Sequence, residues 1–257
     1  MGNIIALPVF PSGVMEKPGP KETDWDFKEL KACAKETQES IPNKKSLRSK
    51  FGKVYCQIYG NCTSNAVLAC DAYYYHDPNG KWEPSTVFTY YNQHKMNLDD
   101  VKKDNGSYVS VALDAVRKYG ACDSKVWPND KPFYKKPSKA AYANGLKGHE
   151  ITKYYRIKSL LQIKKAIAKD YPVAIAMDWA FSYIDGSTNI FCSPTEDDII
   201  CCKSGHAIVI VGYDDETELF EIRNSWGDRW GDHGYAYIRY SDMKRLIRYD
   251  DSYAVVK

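Results

Sequence analysis

The chain has no apolar run near the roughly 20 residues that cross a bilayer. Its longest candidates, Ala207 to Val211 and Val173 to Met177, have the length of strands, so no membrane span is expected. Charge of one sign is also scarce. The 36 basic and 33 acidic residues leave a net charge of +3, and Lys and Arg form no long run interleaved with aromatics, so no nucleic-acid partner is expected. The eight cysteines include no CxxC pair and no paired zinc spacing, which argues against a structural metal, and no cofactor is expected. Internal repeats and low-complexity blocks are missing too. The start, MGNIIALPVFP, lacks a basic n-region and Pro8 breaks its apolar piece, so it does not read as a secretory signal. Gly2 is followed by Ala6 where a myristoylation motif has Ser or Thr.

What is present allows a sizeable core. At 257 residues the chain can form one domain or two halves sharing an interface, and its 21 tyrosines supply large, half-polar packing surface. Residues 1–45 read as an N-terminal appendage: an extended, Pro-containing segment, then a helix expected from Asp24 to Glu39 and closed by Pro42. Residues 46–150 read as mainly helical. Helices are expected after Cys62, over the aromatic segment PSTVFTYYNQHKMN, and from Tyr108 to Tyr119 with Gly120 as the stop, whereas Asp123 to Gly148 reads mostly as loop. Residues 151–257 read as mainly β: a helix near Ser159 to Lys169, the strand VAIAMDW, a loop of about 25 residues through Cys192 to Ser204, then the strands HAIVIVGY, LFEIRN and YAYIRY. A helical half followed by a sheet half predicts an α+β fold with a cleft between them.

One thiol is set apart by its position. Asn61 is the expected N-cap of the helix carrying Ala66, Val67, Cys70 and Tyr74, which puts Cys62 in the first turn. Unpaired N–H groups and the partial positive charge there favour a thiolate, the nucleophilic form. A thiol nucleophile needs a base, and the base needs an orienter. His206 stands in SGHAIVIVGYDD at the start of a buried strand beside Gly205. Eighteen residues on, Asn224 opens NSWGDRWGDHGY. The other histidines, His76, His94, His149 and His233, are expected at the surface or in packing, and Glu196, Asp197 and Asp198 in a solvated loop.

The blocks QIYGNCTSNA, GHAIVIVGYDD and NSWGDRWGDHGYAYI, in this order, resemble the papain-like cysteine peptidases, the C1 group that includes cathepsins. The text between them resembles the compact bacterial and viral members, and the likeness covers about residues 41 to 257. It implies a two-lobe fold, with a helical left lobe, a β-barrel-like right lobe and the active-site cleft between them. By position it makes Cys62 the nucleophile, His206 the general acid and base, and Asn224 the partner of the far imidazole nitrogen, with Trp226 screening that bond and Gly60 and Gly205 in supporting places. Gln57 and the Cys62 backbone N–H would form the oxyanion hole. Cys62 and His206 are expected to rest as an ion pair. The implied activity is hydrolysis of protein or peptide substrates by a monomeric endopeptidase, with residues 1–45 either a cleft-blocking propeptide or a tail with a helix packed elsewhere. A cytoplasmic or virion-associated protein is expected rather than a secreted one. Another Cys-His acyl transfer, by a deamidase or transpeptidase, and an inactive binding protein remain as rivals.

Two departures from the family pattern bear on the site. Gln57 precedes Cys62 by five residues where the family takes six, so either the loop is shortened or Cys56 holds the usual glutamine position. A shortened loop is expected, because glutamine supplies the donor and cysteine does not. Thr63 replaces the usual Trp after the nucleophile.

Overall fold

A computed structural model describes residues 3–7, 14–15, 25–26, 41–75, 82–97, 100–147, 151 and 153–257. Four helices precede the first long strands: α1 (Cys62–Tyr75), α2 (Thr86–Met96), α3 (Val109–Tyr119) and α4 (Lys139–Gly145). Every residue of α1 from Cys62 to Asp71 is buried, as is Tyr73, which marks it as a core helix covered on all sides. It packs on α2, on α3 and on the sheet. Helix ends follow local chemistry. The Ser85 and Ser138 side chains cap α2 and α4, and Gly120 closes α3 at φ 69°, a left-handed conformation that glycine adopts without strain.

The strands are β1 (Ile4–Ala6), β2 (Trp25–Asp26), β3 (Lys44–Ser46), β4 (Lys153–Arg156), β5 (Val173–Asp178), β6 (Tyr183–Asp185), β7 (Gly205–Asp214), β8 (Leu219–Arg223), β9 (Tyr235–Arg239) and β10 (Ile247–Val256). Three more helices, α5 (Leu160–Ala168), α6 (Glu196–Ile200) and α7 (Tyr240–Leu246), lie among them. The main sheet runs β2-β4-β10-β5-β7-β8-β9, with β3 paired to β7; the pairs are antiparallel except β2 beside β4. This is the expected α+β architecture, although the described strands form an open sheet rather than a closed barrel. Strand β7 is buried from Gly205 to Tyr213 because both its faces are covered. Side chains alternate across it. Ala207, Val209 and Val211 join the core of α1 and α3, while Ile208 and Ile210 join a second core with Ile163, Ile167 and Phe220, and past the register shift between Ile210 and Gly212 Tyr213 joins that second core as well.

Several elements depart from expectation. Trp25 and Asp26 form a strand where a helix from Asp24 to Glu39 was expected; the rest of that segment lies outside the described residues. The loop expected over Asp123 to Gly148 contains α4, and the one through Cys192 to Ser204 contains α6, whose capping box joins Thr195 and Asp198. Strand β10 was hidden by the paired aspartates inside IRYDDSYAVV. The fold gives the second of them a use: Asp251, 2% exposed, accepts from the backbone N–H groups of Val109 (2.7 Å) and Ser110 (3.0 Å) at the start of α3. That contact ties the sheet to the helical layer.

Candidate active site

Cys62 is the first residue of α1, and the Asn61 carbonyl accepts the helix-opening bond from Asn65 N at 3.1 Å. The side chain of Asn61, the expected N-cap, accepts from Asn65 Nδ2 at 3.1 Å through Oδ1 and donates to Thr86 Oγ1 at 3.2 Å through Nδ2. Backbone N–H groups of Ala207, Thr63 and Cys62 itself face the Cys62 sulfur and stabilise its thiolate. Since Ala207 follows His206, the nucleophile candidate lies against the end of β7 that carries the base candidate.

His206 Nε2 is 2.8 Å from Asn224 Oδ1. The same Oδ1 accepts from the Ser225 backbone N–H at 2.8 Å. That second bond decides the tautomer: a backbone N–H can only donate, so the amide presents oxygen to the ring, and Nε2 must carry hydrogen. Nδ1 is then the basic nitrogen. Trp226 lies over the imidazole with ring centres 5.0 Å apart at 30°, and Trp179 meets it edge-on at 4.7 Å and 78°. The two indoles also touch each other at 5.2 Å, so the histidine sits in an aromatic bracket.

Gln57 is turned inward and Cys56 outward. The Gln57 backbone N–H donates to Ser225 O at 2.8 Å, its Oε1 accepts from Ser225 Oγ at 2.6 Å, and its Nε2 donates to Tyr59 O at 3.1 Å. These contacts favour the shortened-loop reading, because the glutamine is locked beside Asn224–Ser225 despite its five-residue spacing. Gly60 N is held by the Asp104 carboxylate at 2.9 and 3.1 Å, which also accepts from Tyr90 Oη at 2.7 Å. Tyr90 Oη in turn accepts from Gly106 N at 3.0 Å, joining the nucleophile loop to the segment before α3.

Part of the appendage crosses this region. Val14 N donates to Gly205 O at 3.4 Å and Met15 N to Ser107 O at 3.1 Å, while Arg248 Nη1 donates to Met15 O at 3.4 Å. Val14 is 8% exposed and belongs to the same apolar cluster as Cys62, Val109 and Ala207. A Cβ on Gly205 would stand 2.8 Å from Val14 O, so only glycine admits this approach. Upstream, β1 pairs with β6.

Burial sets the ionisation of the pair. It pushes the Cys62 thiol up to about 12, against the N–H groups of Ala207, Thr63 and Cys62. It holds His206 down to about 4, against the bond that the ring donates to Asn224. Desolvation of a charge on either group thus works against the expected ion pair while the site is covered.

A buried thiol at a helix start, a histidine bonded to an asparagine under a tryptophan, and an inward glutamine form one constellation. A model described as papain family cysteine protease matches residues 49–255. The chain belongs to the papain family of cysteine proteases. Among solved structures, xylellain, a cysteine protease from Xylella fastidiosa, superposes with a TM-score of 0.77 at 28% identity over 98% of this chain and 100% of its own. Procathepsin L 3 of Tenebrio molitor shares the fold, with a TM-score of 0.63 at 14% identity over 93% of this chain and 76% of its own. An uncharacterized peptidase C1-like protein of Acanthamoeba polyphaga mimivirus is 30% identical over 199 residues, covering 70% of this chain and 62% of that one. Cathepsin K of Mus musculus is 27% identical over 156 residues, covering 56% and 44%. The chain thus spans under two thirds of the length of these two relatives.

The papain-family motifs marked Cys62, His206, Asn224, Gln57, Trp226, Gly60 and Gly205, and the fold gathers them. They did not mark Asp104, Trp179 or Ser225 as partners. Ser225 was visible within the NSWG block, whereas Asp104 stands in a charge-rich loop and reaches Gly60 only through tertiary packing. His94 is fully buried against Tyr90 and Phe133, the packing role expected of it, and His233 is at the surface; His76 and His149 lie outside the described residues.

Proposed function

We propose that this papain-family chain is a cysteine peptidase that cleaves peptide bonds through an acyl-thioester, with Cys62 as nucleophile and His206 as general acid and base. The observation that carries the reading is the His206–Asn224 bond, because it leaves Nδ1 as the free base beside the strand end that faces the Cys62 sulfur. His206 takes the thiol proton, and the sulfur attacks the scissile carbonyl. The oxyanion forms near the Cys62 backbone N–H and the Gln57 amide, and each such donor typically contributes about a hundred- to a thousandfold in rate. His206 then returns the proton to the leaving amine, and a water activated by the same ring hydrolyses the thioester. Trp226 and Trp179 keep water from the His206–Asn224 bond.

The appendage acts as a cleft-blocking segment and the protein as a latent endopeptidase. Two features support this: Val14 and Met15 bond to Gly205 on one side and Ser107 on the other, and burial of the pair disfavours a charge on either member. Release of the segment admits water and substrate, and the thiolate–imidazolium form becomes accessible. The substrates are proteins or peptides, the enzyme is a monomer, and the compartment is cytoplasmic or virion-associated.

The test is labelling by an epoxide thiol inhibitor, read by intact mass, together with cleavage of a fluorogenic peptide library. A single adduct lost in Cys62→Ala, with cleavage lost in His206→Ala, supports the reading. Ammonia release without chain cleavage moves the chain to deamidation. No adduct and no turnover, before or after removal of the segment, makes it a binding protein.

A further inference from the structure

Near the dyad, two buried side-chain atoms have no hydrogen-bond partner among the described residues: Asn65 Oδ1, on α1 one turn beyond Cys62, and Asn224 Nδ2. The two residues are 1% and 3% exposed. One atom accepts and the other donates. Both residues line one small cavity between α1 and strands β7 and β8, walled in part by Ala66, Ala69 and Ala207, with a volume of about 10 Å3. That is about the space needed by the centre of one water molecule, and two polar partners are enough to hold it.

Neighbouring bonds fix which way each amide faces. Asn224 Oδ1 is occupied by Ser225 N–H and the His206 ring, both at 2.8 Å, so Nδ2 is its remaining end. Asn65 Nδ2 donates to Asn61 O at 2.8 Å and Asn61 Oδ1 at 3.1 Å, so Oδ1 is its remaining end. A cation would be repelled by the Asn224 N–H, and an apolar occupant would leave both groups unmet.

We propose that this cavity is a structural-water site and that Asn65 is a positioning residue for the reaction. The water donates to Asn65 Oδ1 and accepts from Asn224 Nδ2, linking the nucleophile's helix to the orienter of the base. It opposes rotation of the Asn224 amide. Rotation would turn an N–H toward the Ser225 N–H and the ring, and Nδ1 would no longer be the favoured basic nitrogen. The catalytic half of this inference rests on the peptidase reading; the water site does not.

The test begins with a crystal structure of the full chain at a resolution that shows ordered water, where one molecule is expected within about 3.2 Å of both atoms. A dry cavity or a direct Asn65–Asn224 bond overturns the site. Asn65→Leu removes the acceptor and fills the space. Its expected effect is about a tenfold fall in kcat with KM unchanged, and a shift of the alkaline limb of the kcat/KM profile to lower pH as imidazolium loses support. Asn65→Ser, which keeps an acceptor and admits a second water, restores most of that limb. A Leu variant with the wild-type kcat and pH profile overturns the positioning role, even if it melts earlier. If that variant does not fold, the wild-type crystal and the Ser variant decide the two halves. A wild-type chain without turnover defeats the peptidase reading and with it the positioning role, while the crystal still decides the water.

Discussion

If Val14 anchors the blocking segment, removing its side chain should activate the full-length chain without touching the dyad. Val14 is 8% exposed, so Val14→Gly gives up nearly the full burial of a valine, about 2 kcal/mol. The two backbone bonds, from Val14 N to Gly205 O and from Met15 N to Ser107 O, do not need the side chain and remain possible. A loss of 2 kcal/mol raises the uncovered fraction about thirtyfold while the covered form still dominates. The assay is the initial rate on a fluorogenic peptide, measured before the chain cleaves itself, for wild type, Val14→Gly and a chain lacking residues 1–20. The expected order places the substituted chain between the other two, about thirtyfold above wild type unless it reaches the deletion's rate first. Equal rates for all three would refute inhibition by the segment. A fast deletion beside an unchanged Val14→Gly would leave the segment inhibitory but show that Val14 is not its anchor.

Three other outcomes follow, two from the site and one from the contact between the sheet and α3. Acid should destabilise the covered chain: with His206 held down to about 4 against an ordinary 6.5, the unfolded state binds more protons between those values, so stability falls as pH drops through that window, by up to about 3 kcal/mol in a denaturant titration. A flat profile from pH 7 to pH 4, compared in wild type and His206→Gln, would contradict the buried neutral histidine. Gln57→Ala should lower kcat about a hundred- to a thousandfold with a small change in KM, and a change in KM alone would assign Gln57 to ground-state binding. Asp251→Ala leaves the N–H groups of Val109 and Ser110 without their buried carboxylate, so thermal or denaturant unfolding should show a loss of about 2–3 kcal/mol; a loss under 0.5 kcal/mol would mean that water replaces the cap.

Much of the site was legible in the chain because its chemistry is carried by short segments. The turn before Cys62, the Gly205–His206 pair opening β7, and Asn224 followed by Ser225 and Trp226 each have a local pattern. Even so, local pattern carries no account of burial. A helix start beside a histidine suggested an ion pair, and the desolvation that opposes it comes from the surrounding packing. Local pattern failed also where strand and helix formation depend on distant partners. Strand β10 holds a place between β4 and β5 despite its two aspartates, because Asp251 turns onto the N–H groups of α3.

The sequence by itself determined the α+β class, the buried helix behind Cys62 and the identities of thiol, imidazole and carboxamide, since these follow from periodicity, capping and side-chain chemistry. Only the tertiary structure decided that Gln57 faces inward across a loop one residue short, that Ser225 N–H fixes the Asn224 amide and so the His206 tautomer, and that Val14 lies against Gly205. Each of those facts depends on which groups fill a common space, and no single segment of the chain contains both partners except Asn224 and Ser225, whose shared bond gains its meaning only when β7 brings the imidazole to it.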